Sequence, residues 1–235
     1  MQTAKPSLEE SLKQASNSFH PVVPFNSQMK LLRMDFTAAN TALSDAMLQD
    51  TEKFTAYIDS QLQMTGAAYG IGGYNEHRTI YSRSRVFDEA GDEGPRRLHL
   101  GIDIWGKPHT PVMAPMDGVV HSFAFNDAFG DYGATIILSH VIGGIYFHTL
   151  YGHLGLDSIR SLREGQVIRM GEAFAAFGIP AENGHWPPHL HFQLVKDMQG
   201  KKGDYPGVCR YSVREAYLQN CPDPDLMLDM MKYAG

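Results

Sequence analysis

The chain has 235 residues, 43% of them hydrophobic, which suits one good-sized domain with an appendage or two small domains. A net charge of −6 at pH 7 offers no basic field to phosphate backbones or anionic lipid, so neither nucleic acid nor a membrane is expected as a partner. Eleven histidines stand against two cysteines, Cys209 and Cys221, so any metal chemistry must use imidazole and carboxylate, with the two cysteines expected as free thiols.

The opening MQTAKPSLEESLKQASNSFH carries Lys5, Glu9, Glu10 and Lys13 and has no apolar run of the length an export signal or membrane helix needs. The expectation is a cytoplasmic location, with the periplasm or secretion reached only by another route. Residues 1–65 read as helical, most clearly after Asp50, a candidate N-cap, where Phe54, Tyr57, Ile58, Gln61 and Leu62 fall at helical spacing. GAAYGIGGY then breaks the pattern and reads as a linker over residues 66–74.

From Ile80 onward short apolar, β-branched runs are divided by Gly, Pro, Asn and Asp, the texture of an antiparallel β domain. Strands are expected at 99–104, 118–125, 135–140, 145–153, 173–177 and 189–195. The division that follows is a helical region and linker at 1–74, a β domain at 75–200 and an extension at 201–235. In that extension Ser212 and Glu215 predict a capping box ahead of a short helix that Cys221-Pro222 stops.

Three segments carry the chemistry: HLGID at 99–103, YGHL at 151–154 and PHLHF at 188–192. On a strand His189 and His191 leave the same face, while Leu190 and Phe192 point to the other. His99 and Asp103 would lie roughly 13 Å apart on a straight strand, too far to share one ion, so the backbone is expected to bend near Gly101. His99, Asp103 and His191 supply the three N and O ligands of an open zinc site, and His153 and His189 remain to move protons and stabilise an oxyanion. By themselves His20, His77, His121, His140, His148 and His185 read as ordinary packed or surface residues, and His109, in the loop KPHTP, as a solvated one.

Together these segments resemble the lysostaphin-type (LytM-like) zinc metalloendopeptidases, which cut peptide cross-links of bacterial cell walls. The resemblance runs from about Leu98 to Leu194 and takes in HLGIDIWGKPHTPVMAPMDGVV, DYGATIILSH, YGHL, an E-G-Q-x-I-x-x-G turn at 164–171 and PHLHFQL. It implies a mainly β fold of two sheets forming a cleft (the duplicated hybrid motif), with zinc held by His99, Asp103 and His191. It further implies that His153 and His189 assist attack of water on a peptide carbonyl, and that the substrate is a peptide or peptidoglycan-like chain. Three departures bear on specificity: His109 replaces a usual Gly, Gln193 stands where Glu is common, and NGHWPP before His189 is bulkier than the usual turn.

The tail GDYPGVCRYSVREAYLQNCPDPDLML resembles a branch in which this domain is joined to a class-III aminotransferase-like domain, which implies association with such a domain. Two rivals stand beside the hydrolase. One is a non-catalytic binding or regulatory module, which has no reason to carry stoichiometric zinc; the other is a histidine phosphocarrier, which Asp103 and a third histidine disfavour. The amino-terminal helices read as a packing appendage or a homo-oligomer contact, or else as an inhibitory lid that sends a donor such as Asn75 onto the metal.

Overall fold

The computed structural model describes residues 6–88 and 94–235. Its helices start where a side chain meets the free N–H groups of a first turn. Ser7 and Glu10 form a capping box ahead of α1 (Leu8–Gln14), Ser44 caps α2 (Asp45–Gln49), and Asp50 accepts from the Glu52 and Lys53 N–H groups ahead of α3 (Thr51–Thr65). Phe54 and Ile58 are the buried face of α3.

The helical reading of residues 1–65 holds for these segments and not between them, where the chain forms β1 (Leu31–Arg33); residues 1–5 lie outside the described residues. The stretch read as a linker holds β2 (Tyr69–Gly72), buried at every position and hydrogen-bonded parallel to β1. Its small residues serve close packing, since Gly70 lies against the Met34 and Trp105 side chains.

The strands continue with β3 (Glu76–His77), β4 (Leu98–His99), β5 (Ile102–Trp105), β6 (Pro111–Met113), β7 (Gly118–Asn126), β8 (Gly133–Ile142) and β9 (Ile145–Leu154). They end with β10 (Val167–Ile168), β11 (Ala173–Ala176), β12 (His189–Val195) and β13 (Val208–Cys209). Eight form one sheet in the order β1-β2-β5-β12-β9-β8-β7-β10, antiparallel except for β1 and β2. A three-stranded sheet, β13-β4-β3, and the pair β11-β6 complete a mainly β architecture. The fold class is as expected; the large sheet is mixed because the amino-terminal segment adds its two strands to one edge.

Alternation along β12 explains how the sheet positions a site. Leu190, Phe192 and Leu194 enter a core shared with Ile102, Ile104, Leu138 and Tyr151, together with Leu8, Leu12 and Leu31 from the amino-terminal segment. A second core joins Phe36, Phe54 and Ile58 to Tyr81, Trp105 and Trp186. The C-terminal helix α4 (Arg214–Asn220) lies where the sequence predicts a short helix, but Val213 is its N-cap and no side chain caps it. Ser212 lies inside a preceding 3₁₀ turn, Tyr211–Val213, which displaces it from the capping position. Cys209 and Cys221 are buried free thiols.

Candidate metal centre and active site

The expected bend occurs. The chain leaves β4 at His99, turns through Leu100 and Gly101, and enters β5, so His99 belongs to the small sheet and Asp103 to the large one. Asp103 sits directly opposite His191 in the β5–β12 register, and His191 is opposite Gly152 of β9. A Cβ on Gly101 would lie 2.5 Å from His191 Cε1, so only glycine lets the turn pass this close to the ring.

This geometry gathers His99, Asp103 and His191, whose side chains are buried. His99 Nε2 lies 2.9 Å from His191 Nδ1, His191 Nδ1 lies 3.0 Å from Asp103 Oδ1, and His99 Nε2 lies 3.3 Å from Asp103 Oδ1. Bonds of about 2.0–2.1 Å to a tetrahedral zinc place ligand atoms about 3.3 Å apart, so a triangle of this size and donor set fits that ion.

Each of the three candidate ligands is oriented from behind. His99 Nδ1 donates to the Gly73 carbonyl at 3.0 Å, which leaves Nε2 bare, and His191 Nε2 donates to Gln193 Oε1 at 2.9 Å, which leaves Nδ1 bare. Arg78, fully buried, donates to Asp103 Oδ2. Burial works to raise the Asp103 carboxyl pKa, and His99 and the Arg78 guanidinium outweigh it, holding Asp103 well below the usual carboxylate range. Burial, with Arg78 nearby, pushes His99 down to about 3. The neutral imidazole and ionised carboxylate that result are the forms a metal requires.

Beside this triangle lie His153 and His189. His153, at the end of β9, adopts a left-handed backbone with φ +62° and donates from Nδ1 to the Asn183 carbonyl at 2.8 Å. His189 donates from Nδ1 to the Pro187 carbonyl at 2.7 Å and stacks on Trp105, ring centroids 3.9 Å apart. A carbonyl only accepts, so in both rings Nε2 is the free acceptor. Burial first, and then the neighbouring imidazoles, hold His153 well below 6.5, while burial brings His189 to about 4. Asp103, His153, His189 and His191 line one cavity of about 110 Å³, walled by Tyr81 and Trp186.

All five expected site residues are therefore in one place, and the remaining histidines are elsewhere. His109 is exposed with φ +62°, the backbone conformation that favours the glycine usual in that loop. Asn75 is not among the residues gathered around the three candidate ligands: it is exposed, and its backbone N–H donates to the His99 carbonyl. The chain ahead of β4 reaches the site instead through the Gly73 carbonyl and Arg78, and no sequence motif marks either of them, nor Tyr81. Trp186 was visible only as bulk before His189.

Residues 97–204 match the model of Peptidase family M23. The chain is 30% identical over 154 residues to the L-Ala–D-Glu endopeptidase of Bacillus subtilis (strain 168), covering 61% of this chain and 45% of that one. It is 33% identical over 101 residues to an uncharacterized metalloprotease of Haemophilus influenzae, covering 43% of this chain and 19% of that one. It thus spans less than half the length of these curated relatives. Among solved structures, the antimicrobial peptidase lysostaphin from Staphylococcus simulans is similar at 22% identity and a TM-score of 0.43, over 71% of this chain and 52% of that one. The bend at Gly101 and the facing histidines of β9 and β12 all lie inside the span, residues 97–204, that matches Peptidase family M23.

Proposed function

We propose that this chain is a zinc metalloendopeptidase that hydrolyses peptide or amide bonds in peptidoglycan-like substrates. The observation that carries the reading is the triangle of His99 Nε2, His191 Nδ1 and Asp103 Oδ1, with edges of 2.9, 3.0 and 3.3 Å. These three residues would hold zinc. When bound, zinc supplies Lewis-acid polarisation and brings the pKa of water down towards ~7.

The rest is done by the chain. His153 and His189 present unprotonated Nε2 atoms, and their Nδ1 bonds to backbone carbonyls fix the rings in that tautomer. Their ring centroids are 4.1 Å apart, so a proton on one raises the cost of a proton on the other, and the pair carries one proton at most. One ring accepts the proton of the attacking water; once protonated it donates a hydrogen bond to the developing oxyanion or returns the proton to the leaving amine. Trp105, stacked on His189, and Trp186 wall the cavity that these rings line.

Support for a peptide substrate comes from the family model, and for a wall-type one from the endopeptidase relative, whose name specifies an L-Ala–D-Glu bond. Such a substrate would place the work of the chain at or beyond the cell envelope, the periplasmic or secreted alternative to a cytoplasmic location. Among the described residues no helix is long and apolar enough to cross a membrane. The test is hydrolysis of a peptide panel, with L-Ala–D-Glu bonds, wall cross-bridges and ordinary L-peptides, by zinc-loaded protein. Cleavage of wall-type peptides that chelation abolishes is the expected result; a zinc-loaded chain that cuts none of the panel contradicts the reading.

A further inference from the structure

Arg78 lies outside the segment that matches the family model, yet it is the most buried charged group at the site. Its Nη1 donates to Asp103 Oδ2 and, at 3.3 Å, to the Tyr81 hydroxyl; its Nη2 donates to the Gly72 carbonyl at 3.0 Å; its Nε donates to Glu76 Oε2 at 2.7 Å. Its guanidinium also lies over the Phe36 ring, 5.2 Å from the centroid. A cation wholly out of water persists only when its donors are matched, and here the turn from Gly72 to Arg78 is wound around that requirement. A Cβ on Gly73 would collide with the guanidinium, and the carbonyl of the same Gly73 receives His99 Nδ1–H.

Resting on the zinc reading above, we infer that Arg78 is a positioning residue for the metal: it occupies Asp103 Oδ2 so that Oδ1 alone is presented to the ion. A carboxylate with both oxygens free can swing to grip a cation with two, which adds a ligand and takes the position that water and substrate need. Asp103 Oδ1 is the oxygen that lies 3.0 Å from His191 Nδ1 and 3.3 Å from His99 Nε2, on the ligand triangle, and Oδ2 is the one turned to Arg78. The planar guanidinium meets two carboxylates, a carbonyl and a hydroxyl at once, which a lysine ammonium cannot do in the same space. The metal site is in this sense built partly by residues 72–78, ahead of the family domain.

The experiment compares full-length wild type, Arg78→Lys and Arg78→Met. Zinc affinity is measured by chelator competition, and the visible absorption of the cobalt-substituted protein reports coordination number. The expected result is affinity weakened about 10–100-fold in Arg78→Met and by less in Arg78→Lys, the range for loss of a group that orients a ligand. The cobalt bands should weaken as the carboxylate adds its second oxygen. Arg78→Lys keeps a charge at the buried position and carries the test if Arg78→Met does not accumulate folded. Unchanged affinity and an unchanged cobalt spectrum in a folded variant overturn the inference. A wild type that binds no zinc overturns the zinc reading instead, so the two failures are distinct.

Discussion

The rings of His153 and His189 lie 4.1 Å apart with 31° between their planes, one on β9 and the other on β12, strands adjacent in the large sheet. Neither ring is within the ligand triangle, so metal binding and turnover should separate by mutation. His153→Asn, which tolerates the left-handed backbone, and His189→Asn should each keep one zinc per chain while hydrolysis falls about 10²–10⁴-fold. Metal analysis alongside the rate on a cleaved peptide checks this; full activity in either variant contradicts the assignment.

Gly101→Ala should disable the site without touching a ligand. The added Cβ falls 2.5 Å from His191 Cε1 and 2.8 Å from the Phe192 carbonyl oxygen, so β12 or the turn must shift. Zinc affinity should drop at least about tenfold, the scale on which displaced support weakens a metal ligand. Chelator competition reads the change, and wild-type affinity would show that the turn can yield.

Stability should fall in mild acid through His140. Its ring is 2% exposed, burial brings its pKa to about 4, and Nδ1 donates to the Asp117 carbonyl at 2.9 Å. The folded value lies below that of the unfolded chain, so the contribution is complete above pH ~6.5 and is lost as pH falls towards 4, up to about 3 kcal/mol. Urea midpoints of metal-free protein at neutral pH and near pH 4.5 should differ less in His140→Gln than in wild type. Equal pH dependence in the two contradicts this account.

Removing residues 1–74 should cost the folded state rather than release activity. That piece supplies β1 and β2 to the large sheet, Leu8, Leu12 and Leu31 to one core, Phe36, Phe54 and Ile58 to the other, and the Gly73 carbonyl to His99. Loss of so many buried side chains exceeds the usual margin of roughly 5–15 kcal/mol. Near-ultraviolet circular dichroism of the truncated chain should lose its native signal. A folded, zinc-binding, more active truncation would restore the inhibitory reading of this segment.

Much of the site was legible in sequence because its residues sit in short motifs whose spacing has one geometric meaning. His-x-His on a strand puts both rings on one wall, and H-x-x-x-D with an internal glycine needs a bend. The strand at 189–195 and its alternation follow from the same period of two. The features that no local pattern marks depend on contacts between residues distant in the chain. Arg78 reaches Asp103 across 25 residues with no motif around it. β2 hides in a glycine-rich run, because a strand packed between Met34 and Trp105 selects small residues just as a hinge does. β1 has three residues, too few for periodicity to register.

Zinc binding at this site requires two imidazoles and one carboxylate, from both sides of the Gly101 turn and from β12, to grip a single ion. Zinc content per chain, measured on wild type and on His191→Ala after equilibration with buffered zinc, tests it most directly. One zinc per wild-type chain and none in the variant is the predicted result. A wild type without stoichiometric metal, or a variant that keeps it, contradicts the account.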